Sequence, residues 1–563
     1  MRFRRSLSLA GILFVWACAS AGPRRERADG AYDVVITGGR IVDGTGNPWF
    51  HGDIGIRGDR IVRIAPRGAL GTATARQRVD ASGLVVAPGF IDIQSHSRNA
   101  FLTGDGRVVS KVTQGVTTEI LGEGSTNAPV NDLILQGADT AWRRVNEPFR
   151  GARGFDAWLR AMETHGISTN AGSFVGASTI RMYGKGMAEG AASPAELDTM
   201  RAAMRRAMED GAFGLASALI YPPGVFASTD ELVEVAKVMA PYGGIYITHM
   251  RSEADQLLEA IDEALTIGQR AGVPVEIYHL KAAGKRNWHK GPLAIAKIDS
   301  ARRGGQDVTA DMYGYVAGGT DLSSCLPPWV AADGKLLENL RDSTVRARVV
   351  ADASREFTEW ESLCRLAGPE GVMVVSFRKE ENKPLEGMRL SEIAARRGSD
   401  WLNTVIDLTL EEEDGLGGIF FIALEDNLAL QMRQPWMKFG TDAGGQDPES
   451  ARGMTHPRAY GNYPRVLGRY VREQGVMSLE EAVRKMTSAV ATRLSILDRG
   501  LLRPGMFADV VVFDPATIID RATYEQPHQL SEGVRHVFVN GVAVVHDGRH
   551  TGATPGRALR KGR

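Results

Sequence analysis

Both ends of the chain carry short runs of β-branched residues separated by turns that contain glycine. Residues 32–86 show this pattern, which is typical of short strands joined by tight turns. Near the other end, residues 536–548 form an apolar run on each side of Asn540-Gly541, a pair that favours the type I′ turn of a β-hairpin. The pattern predicts one small β domain assembled from residues 32–86 and 497–563.

Between these ends, apolar runs typical of buried strands alternate with segments of helical periodicity. Residues 253–271, for example, place Leu257, Ile261 and Leu265 on one face of a helix. Eight candidate strands occur, at residues 87–94, 117–122, 170–176, 213–219, 244–249, 274–280, 307–313 and 436–442. Eight strands alternating with helices predict an α/β fold, a (β/α)8 TIM-type barrel over residues 87–496.

The connection between the seventh and eighth strands is much longer than a normal βα loop. Residues 316–435 lie in it, with helical patterns at 335–363 and 389–413 and an apolar run at 372–377. Because the carboxyl ends of barrel strands carry the active site, we expect this insertion to lie beside the site and to act as a lid.

Composition places the chain among globular proteins and excludes two classes. Lys plus Arg and Asp plus Glu both number 67, so no basic excess points to nucleic acid. The chain has three cysteines, too few for a disulfide scaffold. Cys325 and Cys364 can pair in an oxidising compartment, and the sequence leaves open whether they do.

The N-terminus has the features of an export signal over residues 1–21, followed by a polar linker at 22–31. The first five residues include three arginines, and residues 7–17 form an apolar run too short to span a bilayer. Cleavage before Cys18 would give a lipid-anchored protein, and cleavage after the Ala-Ser-Ala of residues 19–21 a periplasmic one. An ordinary N-terminal helix is the alternative.

Side chains suited to metal binding follow the ends of five predicted strands. His96 follows the first strand, Glu123 the second, and Asp442 the eighth, while His249 and His279 end the fifth and sixth. The carboxyl ends of parallel barrel strands meet at one rim, and imidazole and carboxylate are good zinc ligands. Each residue alone would more often be structural, but together they predict a metal site.

Several blocks of the sequence resemble the N-acyl-D-amino-acid deacylases, or D-aminoacylases, of the amidohydrolase superfamily. APGFIDIQSHS resembles the superfamily signature P-G-F-I-D-x-H-x-H, and ITHMRSEAD, EIYHLKAAG, GTDAGG and HPRAYGNYPRVLGRYVRE are similar to matching deacylase blocks. The resemblance covers nearly all of residues 32–557. It implies the barrel, the two-ended β domain, a zinc site, and hydrolysis of the amide of small N-acyl amino acids, D-configured ones above all.

Two positions depart from the family pattern. Gln94 stands where the first histidine of the H-x-H pair is expected, and Gly124 aligns with a bridging cysteine, next to Glu123. The resemblance implies that His249 and His279 keep a tight zinc site, with Glu123 as its third ligand.

A second site, at His96 and Asp442, lacks its first histidine. We therefore expect one tightly bound Zn²⁺, with Gln94 forming hydrogen bonds near it, since a neutral amide oxygen is a poor zinc ligand beside imidazole. Asp442 is the candidate general base that accepts a proton from water and passes it to the leaving amine.

Four residues match positions that bind substrate in the resembled deacylases: Arg458, Lys281, Tyr221 and Tyr315. Arginine is suited to binding a carboxylate through two hydrogen bonds, and Lys281 shares a strand face with His279 because side chains alternate. For Arg458 and Lys281 the ordinary alternative is a solvated surface charge, and for Tyr221 it is packing within a turn.

Arg251 and Glu253 follow His249 closely. Arg251 is the candidate for a residue that orients the metal ligands through hydrogen bonds. The alternative is an ordinary charged pair at a helix start, which we favour for Glu253.

Two other functions stay open. A cyclic amidase of the dihydropyrimidinase or hydantoinase kind would need an intact H-x-H pair and a carboxylated lysine, and a non-catalytic barrel would need no metal ligands.

Overall fold

The computed structural model describes residues 31–355 and 360–562. The predicted signal, Cys18 and residues 22–30 of the predicted linker lie outside the described residues. Within the described residues, no helix has the length and apolar character needed to cross a membrane.

A closed barrel of eight parallel strands forms the centre of the molecule. Its strands are β1 Phe90–Asp92, β2 Val116–Leu121, β3 Asn170–Ser173 continued by Val175–Gly176, β4 Gly214–Ala218, β5 Ile245–His249, β6 Val275–Ile277, β7 Val308–Met312 and β8 Met437–Phe439. The first part of β3 pairs with β2 and the second part with β4. A bridge between Ser95 and Ala443, just past β1 and β8, closes the circle. The predicted barrel is confirmed.

Helices cover the outside of the barrel, so its strands are buried on both faces and read as continuous apolar runs. Every residue of β2, β4 and β5 is buried. The helices are Val109–Val112, Asp132–Gln136, Thr140–Asn146, Gly154–His165, Ala177–Gly184, Pro194–Asp210, Thr229–Ala236, Leu257–Ala271, Gly291–Arg303, Glu425–Met432, Arg458–Arg465, Leu479–Met486 and Ser488–Leu494. Arg458–Arg465 continues as a π-helix, Val466–Glu473.

A nine-stranded sheet combines both ends of the chain. Its strands are Tyr32–Ile41, Phe50–Arg57, Arg60–Pro66, Ala75–Asp80, Val85–Pro88, Val510–Phe513, Val534–Val539, Val542–His546 and Arg549–His550. The two ends meet where Val85–Pro88 pairs antiparallel with Val510–Phe513. Asn540 and Gly541 have φ values of 49° and 79°, as the predicted hairpin turn requires. The predicted domain bounds, 32–86 plus 497–563 and 87–496, remain a proposal.

The insertion between β7 and β8 has a hydrophobic core distinct from that of the barrel, to which Ala254 and Ala283 from the loops after β5 and β6 also contribute. Its three-stranded sheet consists of Ala317–Asp321, Val372–Val375 and Gly417–Phe421, with the last strand in the middle. Five helices pack around the sheet: Leu336–Arg341, Ser343–Ala353, Leu363–Ala367, Leu390–Arg397 and Trp401–Glu411. Cys325 and Cys364 form a disulfide within this core.

Candidate metal centre and cavity

A cavity of about 610 Å³ opens at the carboxyl ends of the barrel strands. The five residues expected to bind metal, His96, Glu123, His249, His279 and Asp442, all line it. The insertion supplies one wall through its strands, including Gly318 to Asp321 and Gly417 to Phe420. Residues from distant parts of the sequence therefore meet in one place, at the rim where barrels of this type place catalysis.

The carboxylate of Glu123 lies at the centre of the donor cluster. Its Oε1 is 3.1 Å from His249 Nδ1 and 3.4 Å from His279 Nε2. Its Oε2 is 3.3 Å from His96 Nε2. A tetrahedral zinc ion with bonds of about 2.0–2.1 Å separates its ligand atoms by about 3.3 Å. The spacing around Oε1 therefore fits three ligands of one metal ion: Glu123, His249 and His279. Oε2 faces a second group of donors, which Glu123 forms with His96 and Asp442.

The charges of the cluster also fit a cation. Burial raises the pKa of Glu123, but hydrogen bonds from His249, His279 and His96 lower it well below its ordinary range. Burial lowers the pKa of His96, yet hydrogen bonds with Asp442 and Glu123 raise it to about 9. Protonated imidazole thus balances the buried carboxylates, and a dication would supply that charge in its place.

Asp442 is held in an unusual backbone conformation. Its φ is 50°, in the left-handed region that side chains other than glycine seldom adopt. Its N–H donates to the Gln94 carbonyl at 2.8 Å. One carboxylate oxygen is 3.0 Å from His96 Nε2, and the other is 2.7 Å from Arg458 Nη1. These contacts aim the carboxylate across the metal donors toward the cavity.

A buried network below Asp442 fixes this turn. Thr441 donates to Asp92 from its N–H at 2.9 Å and from its hydroxyl at 2.6 Å. Lys111, fully buried, donates to Asp92 at 2.6 Å and to the Ala443 carbonyl at 2.7 Å. Lys111 was not predicted from the sequence. The aspartate within APGFIDIQ was the available signal, because a buried carboxylate needs a cationic partner.

Glu253 orients His279, contrary to the favoured expectation of a helix-start pair. Its Oε1 is 2.9 Å from His279 Nδ1, and both its oxygens accept from Lys281 Nζ, at 2.7 and 2.8 Å. Arg251 instead donates to Glu263 and to two backbone carbonyls. The Glu253 side chain is short enough to stay inside the rim. The longer Arg251 side chain reaches outward to Glu263 on the helix that follows β5.

Three of the four expected substrate-binding residues line the cavity: Arg458, Lys281 and Tyr221. Tyr315 does not. Its hydroxyl donates to Asp520 at 3.0 Å, away from the cavity. Tyr313 lines the cavity instead, with the Arg458 guanidinium 4.6 Å above its ring. Strand β7 ends at Met312, so the alternation that would place residues 313 and 315 on one face no longer holds.

Comparison with known proteins identifies the family. A family model described as Amidohydrolase family matches residues 427–545. D-aminoacylase from Alcaligenes xylosoxydans xylosoxydans is 35% identical over 537 residues, which cover 94% of this chain and 97% of that protein. The chain belongs to the D-aminoacylase family of amidohydrolases. The predicted family, fold class and enzyme class, a hydrolase acting on linear amide bonds, are confirmed.

Solved structures of D-aminoacylase family members show the same architecture. One of these structures is 33% identical to this chain. It addresses the functional role of the binuclear metal centre in D-aminoacylase, with one-metal activation and second-metal attenuation. It has a TM-score of 0.77 and matches 94% of this chain and 100% of its own. N-acyl-D-glutamate deacylase from Bordetella bronchiseptica, complexed with zinc and a phosphonate inhibitor, is 32% identical, with a TM-score of 0.76 and the same coverage.

We predict that metal binding to this D-aminoacylase family member releases protons. His96 and His279 have raised pKa values in the metal-free protein, so protons compete with a metal ion until the pH passes the raised values. Zinc affinity should therefore increase from about pH 6 to about pH 9, by about tenfold per pH unit for each released proton. Competition with a chelating dye measures it, with the exposed His51→Ala as control. Affinity independent of pH would contradict the charge-balance argument.

Proposed function

We propose that this chain hydrolyses the amide bond of N-acyl-D-amino acids, using one zinc ion held by Glu123, His249 and His279. The observation that carries the proposal is a buried arginine beside the metal donors. Arg458 is 4% exposed. Its Nη1 is 2.7 Å from Asp442 and its Nη2 donates to the Gly319 carbonyl, but its Nε has no hydrogen-bond partner within the described residues. A buried guanidinium that keeps a donor without an acceptor is costly, and the carboxylate of an N-acyl amino acid would supply the missing acceptor in the cavity.

The catalytic roles follow from the positions of the side chains. A zinc ion in this site would lower the pKa of water toward about 7 and polarise the scissile carbonyl. Burial raises the pKa of Asp442, but Arg458 and other neighbours lower it below its ordinary value. The carboxylate is therefore ionised at neutral pH and can accept a proton from the attacking water. It then gives that proton to the amine nitrogen as the C–N bond breaks.

The remaining cavity residues position the substrate. Arg458 binds its carboxylate, and the hydroxyl of Tyr221 adds a donor. Lys281 is already paired with Glu253, so it supports His279 and adds positive potential rather than forming the main ion pair with substrate. The preference for D-configured substrates is supported by the relatives alone, which are named for D-amino acids.

The second group of donors is poorly suited to a tight metal ion. Gln94 is buried, and its Nε2 donates to Glu123 Oε2 at 2.5 Å. Asp442 is engaged by Arg458 on its other side. A second ion would have to displace both contacts, with His96 as its one imidazole ligand. These contacts support a single zinc ion.

The proposed hydrolysis of a linear amide differs from both functions that the sequence left open, a cyclic amidase and a non-catalytic barrel.

We also propose that the protein is exported, either to the periplasm or anchored through Cys18. The disulfide between Cys325 and Cys364 supports this proposal, because such bonds persist in oxidising compartments.

The proposed activity is tested with paired D and L N-acetyl amino acids, with zinc removed and restored. We expect release of the free amino acid from the D substrate only, and only with zinc. Asp442→Asn should keep zinc but lower kcat by about 10²–10⁴-fold, the usual contribution of a general base. Hydrolysis by metal-free protein, or no hydrolysis of either enantiomer, would refute the proposal; turnover of the L substrate would refute the stereochemical part.

Zinc stoichiometry tests the single-metal site. We expect one zinc per wild-type chain and less than one in Glu123→Gln, because two neutral imidazoles hold a dication less tightly than two imidazoles and a carboxylate. Gln94→His should bind up to two, since it restores the H-x-H pair beside His96. Two tightly bound ions in the wild type, or an unaffected Glu123→Gln protein, would show that the assignment is wrong.

Mass spectrometry of the mature N-terminus tests export. A diacylglyceryl group on Cys18 would establish a lipid anchor, and an unmodified start at Gly22 a periplasmic protein. An intact Met1 in protein isolated from the native cell envelope would exclude both.

A further inference from the structure

The cavity is larger than the proposed reaction centre requires. Its volume is about 610 Å³. Pockets of roughly 300–1,000 Å³ hold drug-sized ligands, whereas an N-acetylated amino acid has only about a dozen non-hydrogen atoms. A metal ion, a water molecule and a small substrate would leave much of this space unfilled.

The unused space has an apolar wall on one side of the barrel mouth. Met182 lies on the helix that follows β3, Met187 on the loop after that helix, and Ile220 just past β4. All three line the cavity and are half-buried. Leu363 and Ile419 of the insertion line it as well.

The apolar wall is held in place by the insertion. The Met187 carbonyl accepts a hydrogen bond from the Asp333 N–H at 3.2 Å, which joins the two sides above the barrel. Tyr221, next to Ile220, has a hydrogen bond with Thr320 of the insertion. The wall is therefore a formed surface, and the unbranched methionine side chains can adapt to a flexible apolar group.

The order of the strands favours one orientation of the substrate over this wall. Arg458 follows β8, and β4 lies four strands away around the eight-stranded barrel. A substrate with its carboxylate on Arg458 and its scissile carbonyl at Glu123, His249 and His279 extends across the mouth. Because the acyl group leaves the carbonyl in the direction opposite to the amino acid, it points toward the loops after β3 and β4.

We propose that Met182, Met187 and Ile220 form a subsite for an apolar acyl group longer than acetyl. The preferred substrates are then N-acyl amino acids with a medium-length fatty acyl chain. Hydrolysis adds the oxygen of water to the acyl carbon, breaks the C–N bond and transfers a proton to the amine, giving a fatty acid and a free amino acid. This inference rests on the proposed function.

The test is a series of N-acyl-D-leucine substrates with acetyl, butanoyl, hexanoyl and octanoyl groups. We expect kcat/KM to increase with chain length by about fourfold per buried methylene, until the subsite is full. Met182→Gln and Met187→Gln keep the side-chain length but add polarity, so they should flatten this increase while kcat/KM for the acetyl substrate stays within about twofold. Met477→Gln, at a half-buried methionine between two helices outside the barrel mouth, is the matched control, and thermal melting checks folding.

Product inhibition gives a second measurement that does not depend on turnover of long substrates. Octanoate should inhibit hydrolysis of the acetyl substrate much more strongly than acetate, and the two methionine variants should reduce that difference. A flat or falling kcat/KM along the series, with equal inhibition by both acids, would overturn the subsite and leave the proposed function intact. Hydrolysis of no substrate in the series by the zinc-loaded protein would overturn both. A side-chain series at constant acyl group that responds to the same variants would assign the wall to the amino-acid side chain and refute the proposal.

Discussion

Compensation of buried negative charge is the constraint on which the rest of the site depends. Glu123, Asp442 and Glu253 are carboxylates withdrawn from most solvent at the end of a closed barrel. Uncompensated charge in such a place is costly. The protein surrounds Glu123 with three histidines, pairs Asp442 with Arg458, and pairs Glu253 with Lys281. Each cation is therefore placed by the carboxylate it balances, and the geometry needed to hold a metal ion follows from that pairing.

The barrel and the insertion divide the work of building the cavity. Barrel strands supply the donors from rigid, fully buried backbone, and the network of Lys111, Asp92 and Thr441 locks the turn at Asp442. The insertion contributes glycines and apolar side chains with little charge to its wall of the cavity. The candidate metal donors thus lie at the ends of parallel strands, while the shape of the remaining cavity depends on the insertion, whose hydrophobic core is distinct from that of the barrel.

The sequence was informative where one local rule decides the structure. Eight continuous apolar runs predicted the barrel, because strands that are buried on both faces are typical of a parallel sheet covered by helices. The ends of these strands meet at one rim, which brings together His96, Glu123, His249, His279 and Asp442. Tyr315, expected from the family resemblance to bind substrate, does not line the cavity, and its hydroxyl donates to Asp520. The role of Glu253 was missed because side-chain reach, and not spacing, decides between it and Arg251. The pairing of Cys325 with Cys364 depends on how the insertion folds, which no local pattern specifies.

The nine-stranded sheet has a consequence for how the chain reaches its final state. Its two halves are separated by the whole barrel, and Val85–Pro88 can find Val510–Phe513 only after more than four hundred residues have been made. Contacts between such distant segments are slow to form, because a long loop must close first. Until the C-terminal strands arrive, the edge of the N-terminal sheet remains unpaired and able to join other chains. Pairing of these two strands is thus expected to be a late step in the folding of the enzyme.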